Sequence, residues 1–255
     1  MQRAFHPRVI AAPAAFYLAA VLLLCAAVHA QQPCDSEAKL LLAPAETEAA
    51  VGALGAKDET DGRIYFFDTQ ALDLLAQGVI VRLRRGADND LTIKLRPLAG
   101  QSFSGPSAGH EKYKCEVDVT GTGDIYSYSM TRKYNDASLP ATGTELLSML
   151  TPGQKKLLQE AHVGIDWSRV KRIAEIRSAV WSIKSHSQFK KLTLERWQWP
   201  GRQVLELSAK VQAAAGKSAY EDLQRLAQAK GLSLSSVQGA KTAVALKQIT
   251  GSQER

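Results

Sequence analysis

Residues 79–97 read VIVRLRRGADNDLTIKLRP. Val79, Val81, Leu83 and Arg85 alternate with Ile80, Arg82 and Arg84, and Leu91, Ile93 and Leu95 alternate with Thr92, Lys94 and Arg96. A period of two is the pattern of a strand with one apolar face. The GADND segment between the runs supplies the residue types that tolerate tight turns. The stretch is therefore expected to be a β-hairpin with Arg82, Arg84, Lys94 and Arg96 side by side. Four like charges at cross-strand spacing repel, so either bulk water or an anion must compensate them. A solvated basic face, of the kind that keeps an edge strand from pairing, and a polyanion site are both compatible with this segment.

The same alternation recurs along the chain. Asp35, Glu37 and Lys39 share one face of a strand expected over residues 34–42, and an aromatic strand is expected over 63–69. Lys114, Glu116 and Asp118 oppose Cys115, Val117 and Val119 in a strand over 113–120. Residues 125–133 fit a strand or a helix. A strand starts near Arg169, with Arg169, Lys171, Glu175 and Arg177 on one parity. Two more are expected over 190–199 and 203–211, joined by Pro200-Gly201; the last aligns Glu206, Ser208 and Lys210. Helices are expected within 43–61, over 71–77, twice within 144–161 with a second start at Pro152, and over 218–230, where Ser218 and Glu221 suggest a capping box. Helices are thus inserted between strands rather than alternating with them. The expected fold is α+β, an eight-stranded antiparallel β-barrel with flanking helices, rather than a Rossmann sheet.

The chain has 255 residues, 45% hydrophobic and 22% charged, with a net charge of +7. That balance suits a globular domain with an anionic partner. Arg3 and Arg8 precede an apolar run that ends in Val28-His29-Ala30, the pattern of a secretory signal peptide over residues 1–30; an uncleaved membrane anchor is the alternative. The expected product is a periplasmic or secreted protein with no stable membrane insertion, a domain over 31–250 and a short tail over 251–255. Of three cysteines, Cys25 leaves with the signal. Cys34 and Cys115 then form one disulfide or remain two separate thiols. The spacing of cysteines and histidines gives no zinc motif.

If the apolar faces pack on the helices of a closed barrel, the charged faces meet inside it. Charges so placed need partners, water or ions. Carboxylates at i and i+2 suit Mg²⁺ or Mn²⁺, and arginine forks grip phosphate. Pairing among the acids and bases themselves is the alternative. Trp197 and Trp199 lie beside a turn without interleaved basic residues, so nucleic acid is not an expected partner.

Asp35-x-Glu37-x-Lys39, YFFDT (65–69), LDLLAQGVIVRLRR (72–85), TIKLRP (92–97), CEVD (115–118) and LELSAK (205–210) together resemble the CYTH, or triphosphate tunnel metalloenzyme, superfamily over about residues 34–231. The resemblance implies an eight-stranded antiparallel barrel tunnel and hydrolysis of a terminal phosphate from inorganic triphosphate, a short polyphosphate or another triphosphorylated substrate, with Mg²⁺ or Mn²⁺. It implies metal ligation by Asp35, Glu37 and Glu206. Phosphate contacts would come from Lys39, Arg82, Arg84, Lys94, Arg96 and Arg177, and catalytic carboxylates from Glu116 and Asp118. Two positions depart from the family pattern: Asp35 where the signature has Glu, and Ser208 where many members have a second acid. A non-catalytic polyphosphate-binding envelope protein is the alternative reading.

Overall fold

A computed structural model describes residues 34–86, 88–98, 113–135, 138–184, 189 and 191–251; the expected signal peptide lies outside them. In chain order the elements are β1 (Asp35–Leu42), α1 (Thr47–Leu54), β2 (Lys57–Asp68), α2 (Asp73–Ala76), β3 (Val79–Gly86), β4 (Asp90–Leu95), β5 (Lys114–Thr120), β6 (Gly123–Lys133), α3 (Gly143–Met149), α4 (Pro152–Glu160), β7 (Lys171–Ile183), β8 (Lys191–Trp199), β9 (Arg202–Val211), α5 (Gly216–Ala229) and α6 (Lys241–Thr250).

The strands close into a barrel in the order β1-β5-β6-β4-β3-β2-β7-β8-β9. The expectation of eight antiparallel strands is corrected twice. The undecided segment is β6, a strand whose Tyr128 and Met130 side chains pack outward, which makes nine. In addition, β1 runs parallel to β5, with Asp35 opposite Glu116 and Glu37 opposite Asp118, because it is inserted between β5 and β9 instead of following a hairpin. Cys34 and Cys115 lie just ahead of these paired positions and form a disulfide, with Cα atoms 4.7 Å apart.

The hairpin that opened the sequence reading is present as β3–β4, with Arg82 opposite Thr92 and Ile80 opposite Lys94. Its apolar side (Val81, Leu83, Leu91, Ile93) faces outward against α2, α3 and α4. Thr142 caps α3, and a full capping box of Thr151 and Gln154 starts α4. On the opposite side, α1 and α5 cover the outward residues of β1, β7, β8 and β9, among them Leu40, Trp181, Leu194 and Leu207. Ser218 does not cap α5. The helix starts at Gly216, and the Ser218 hydroxyl donates to the Ala215 carbonyl at 3.1 Å. β2 begins at Lys57, earlier than expected, because its polar first half pairs with the long β7.

Only the first half of β1 pairs with β5. The exposed backbone beyond is closed by the segment after α5: Ala43 donates to the Ser233 carbonyl at 2.8 Å and Ser235 to Leu41 at 2.9 Å. The Gln238 amide both donates to and accepts from the Leu41 backbone, at 2.8 and 3.1 Å. These bonds lead the chain into α6, an element with no counterpart in the sequence reading.

The interior has two zones. At one end, inward side chains are apolar: Leu41, Ile64, Phe66, Ile176, Trp197, Trp199 and Val204 pack with Ala245 and Leu246 of α6. The remainder is polar and holds the candidate site. Among the described residues, no helix is long and apolar enough to cross a membrane.

Candidate functional site

The polar zone is a cavity of 320 Å³ within the barrel. β1 contributes Glu37 and Lys39, β3 contributes Arg82 and Arg84, β4 contributes Thr92 and Lys94, and Arg96 follows it. β5 adds Lys114, Glu116 and Asp118, β8 adds Lys191, Thr193 and Glu195, β9 adds Glu206, Ser208 and Lys210, and α6 adds Lys241. Each strand sends alternate residues inward, so the period-two pattern becomes a lined lumen. Nine basic side chains face six acidic ones there, Asp88 at the rim included.

Asp118 is fully buried and is the electrostatic centre. Its carboxylate is 2.8 Å from Lys39 Nζ, 3.0 Å from Arg96 and 3.8 Å from Lys94. Burial favours its neutral form, but these three cations outweigh it and hold its pKa below the usual carboxylate range. Glu116 is held at about 2 in the same way: burial raises it, while Lys94, a bond from Lys114 and Lys39 lower it further. Burial penalises the Lys39 ammonium as well, yet Asp118, Glu37 and Glu206 raise its pKa above the ordinary lysine value. Lys94 goes the other way. Burial, with Lys39 and Arg96 nearby, lowers it to about 8 against the pull of Asp118.

A second knot lies deeper. Lys241 is buried, pairs with Glu195, and stands 2.9 Å from Glu206 Oε1 and 4.5 Å from the Trp197 ring centroid. The Trp197 indole donates to Glu195 at 2.6 Å. Arg84 is clamped by Asp90 and by Asp88, the latter at 2.7 Å. Arg82 differs from all of these. It makes no ion pair among the described residues, its Nε is buried without a hydrogen-bond partner, and burial followed by Arg84 pushes its pKa down.

The structure thus brings Glu37, Lys39, Arg82, Arg84, Lys94, Arg96, Glu116, Asp118 and Glu206 into one cavity. Two expected site residues are elsewhere. Asp35 shares the parity of Glu37 but is exposed at the first position of β1 and does not line the cavity. Arg177 lies on the outer face of β7. That strand lends Ala174 and Ile176 to the apolar zone, so its charged parity points outward with Ala179 and Trp181. Sequence reasoning missed Lys241 altogether. The one signal was a lysine at the first position of a helix, where the macrodipole disfavours a cation.

No family model and no curated relative matches the chain. Solved structures do. A candidate adenylyl cyclase from Hippeastrum, described as having a dominant triphosphatase activity, aligns with a TM-score of 0.56 at 17% identity, over 82% of this chain and 93% of that one. A candidate adenylate cyclase from Bacillus halodurans aligns with a TM-score of 0.54 at 17% identity, over 82% of this chain and 95% of that one. This chain shares the barrel fold of these structures.

The resemblance noted in the sequence implies Mg²⁺ or Mn²⁺, so the lumen acids are candidate ligands. Among the described residues, no group of three or more acidic, His or Cys side chains converges as a metal cage, and the acids of the lumen are engaged by lysine or arginine. Glu206 Oε2 is the exception: it is buried and lacks a hydrogen-bond partner. The set fits a divalent ion that completes its sphere on phosphate oxygens and water, as Mg²⁺ commonly does. Glu206 is the side chain that would hold it; Glu37 stands four register positions away, opposite Lys210.

Proposed function

We propose that this protein is a metal-assisted phosphohydrolase that takes inorganic triphosphate or a short polyphosphate into the closed lumen and releases a terminal phosphate. The observation behind the proposal is the surplus of positive charge in a walled cavity, with the half-buried Arg82 in no ion pair among the described residues and its Nε buried without a hydrogen-bond partner. An anion of high charge density is what would balance it. The triphosphatase activity named for the Hippeastrum protein supports the same reading.

Within that reading Arg82, Lys94 and Arg96 grip phosphate oxygens, and Lys39 holds Asp118 in place. Glu116, ionised far below neutral pH, accepts a hydrogen bond from the attacking water and orients it; a carboxylate of such low pKa is a weak proton acceptor. A bound Mg²⁺ or Mn²⁺ would neutralise the charge that develops on the transferring group. The apolar zone and α6 stop the lumen at one end, which favours attack on a chain terminus. Export through residues 1–30 belongs to the proposal, and the Cys34–Cys115 bridge suits an oxidising compartment. Nucleotides are scarce there, so the substrate is inorganic.

The second reading is a polyanion-binding envelope protein without turnover. It is favoured by Ser208, which hydrogen-bonds Thr193 at 2.9 Å in place of an acid, and by the lysines that already neutralise the carboxylates. Purified protein incubated with inorganic triphosphate and Mg²⁺ or Mn²⁺ should release phosphate, and Glu116→Gln and Arg82→Ala should abolish the release. Calorimetric binding of triphosphate with no release in any metal would establish the second reading instead. No binding at all would end both.

A further inference from the structure

The arginine expected in the lumen has its own surroundings. Arg85 of β3, Arg63 of β2 and Arg177 of β7 are register partners, Arg63 opposite Arg85 on one side and opposite Arg177 on the other. Their side chains form one row across the outer face of three adjacent strands, with strands about 4.8 Å apart. Gln198 continues the row on β8, opposite Arg177. Together with Arg196 they line an external groove of 660 Å³.

Like charges directly opposite on neighbouring strands destabilise a sheet, and little in the groove offsets them. Arg63 pairs with Glu175. Arg85 lies 4.8 Å over the Tyr134 ring and donates to the Ser138 carbonyl at 3.1 Å. Arg196 lies 5.5 Å over Trp181 and reaches Glu48 only at 3.9 Å. Arg177 makes no ion pair among the described residues. Asp61 is the one acid that lines the groove.

The groove is also connected to the lumen. Beside it is a second recess of 340 Å³. That recess shares Arg63, Arg85 and Ser178 with the groove, and Arg84, Asp88, Lys191 and Glu195 with the barrel cavity. The joining point is the rim at Gly62 and Gly86, which face each other in the β2–β3 register. Past Gly86 the β3 wall ends while β2 continues toward Lys57. The two backbones approach closely there, a Cβ on Gly62 meeting Arg85 O at 2.9 Å and one on Gly86 meeting Asp61 O at 2.5 Å, so the rim stays at backbone height and forms a low saddle between inside and outside.

We propose that the Arg63–Arg85–Arg177 row, with Arg196, is an external binding track for a linear inorganic polyphosphate whose end enters the lumen over the Gly62–Gly86 saddle. This rests on the reading of the lumen as a phosphate site and names its substrate class: chains longer than the cavity holds. The track contacts phosphates that are not being cleaved, so it governs affinity and chain-length preference, not the chemistry.

The test compares inorganic triphosphate with long-chain sodium polyphosphate in wild type, Arg177→Ala and the double variant Arg63→Ala/Arg177→Ala, with Arg63→Lys/Arg177→Lys as a charge-preserving control. Binding is followed by calorimetry and turnover by phosphate release. Wild type is expected to bind the long chain more tightly than triphosphate. The double alanine variant is expected to lose about ten-fold in affinity for the long chain, the scale of one or two charge-assisted contacts, while triphosphate binding stays unchanged; the lysine pair recovers part of the loss. Equal losses for both ligands, no loss for either, or single-stranded RNA that binds wild type as tightly as polyphosphate would overturn the track. If wild type binds neither phosphate ligand, the lumen reading itself has failed, and the variants are not needed to see it.

Discussion

Lys241 Nζ lies 2.9 Å from Glu206 Oε1 and also pairs with Glu195, two carboxylates that face each other in the β8–β9 register. Inward-facing acids at that spacing repel. One ammonium from α6 resolves the conflict, and burial, which opposes it, is outweighed by the two acids, so that the lysine pKa is raised. The helix thereby supplies from within the chain a cation shared by both carboxylates, which leaves Glu206 Oε2 without a hydrogen-bond partner.

Lys241→Ala should therefore cost about 3–5 kcal/mol of stability, the range for removing one partner of a buried pair, read as a lower midpoint in chemical denaturation. Adding Glu195→Gln and Glu206→Gln should recover much of it, because the uncompensated charges are gone. Mn²⁺ should raise the melting temperature of the single variant more than that of wild type. Equal responses to Mn²⁺ would mean that the vacated position does not take a divalent ion.

How much of this could be read beforehand depended on one rule and where it fails. On β1, β3, β4, β5 and β9 the charged parity faces inward, so alternation alone placed Lys39, Arg82, Lys94, Glu116 and Glu206 together. The rule holds only where the interior is polar. At the apolar end β7 sends Ile176 inward, and its charges point to solvent; Arg177 was misplaced for that reason. Both parities of β7 mix charged and apolar residues, so its periodicity was not decisive. The ninth strand was hidden because Tyr126, Ser127, Tyr128 and Ser129 have no charge contrast. Lys241 could not be found by alternation, since it reaches the lumen from a helix tethered by Gln238, a contact between residues distant in sequence.

Acid should weaken the fold through Glu116. Its folded pKa is about 2, below the 4.5 of the unfolded chain. A depressed carboxylate contributes stability that is complete above the unfolded value and is lost as pH falls through 4.5 toward 2. Denaturation midpoints should fall across that window, and Glu116→Gln should flatten the slope. Lys94 has the opposite consequence. Its folded pKa of about 8 is below the ordinary lysine value of 10.5, so its buried charge is a cost below pH 8 that is relieved between 8 and 10.5. A bound phosphate favours the charged lysine and raises its pKa, so triphosphate affinity should decline as pH rises above 8, and Lys94→Arg should move the decline upward.

The Cys34–Cys115 bridge joins residues separated by 81 positions and pins the one parallel pairing of the barrel. Closing a loop of that length limits the unfolded chain, worth about 4 kcal/mol on chain-entropy grounds. Cys34→Ser/Cys115→Ser should lower stability by up to that amount and loosen β1 against β5, seen as faster amide exchange at Ser36 and Val117. The protein purified without reductant should titrate no thiol from these two residues. Two reactive thiols there would remove the bridge from the account.

Arg82 separates function from stability most directly. Like Lys191 and Lys210 it lines the lumen without an ion pair among the described residues, and of these three it alone has a buried nitrogen, Nε, with no hydrogen-bond partner. An uncompensated buried charge is a cost to the folded state, so Arg82→Met, which keeps much of the side-chain volume, should leave stability unchanged or raise it slightly. The same change should weaken triphosphate binding by about ten-fold to a hundred-fold, the scale of one charge-assisted phosphate contact. Asp118→Asn should behave in the reverse sense. It strips Lys39, Lys94 and Arg96 of their common partner, so stability falls, while the freed cations keep their attraction for an anion. Calorimetry and thermal melts on the two variants measure both quantities at once. A residue retained only for packing would move stability without affinity; Arg82 is expected to move affinity without loss of stability.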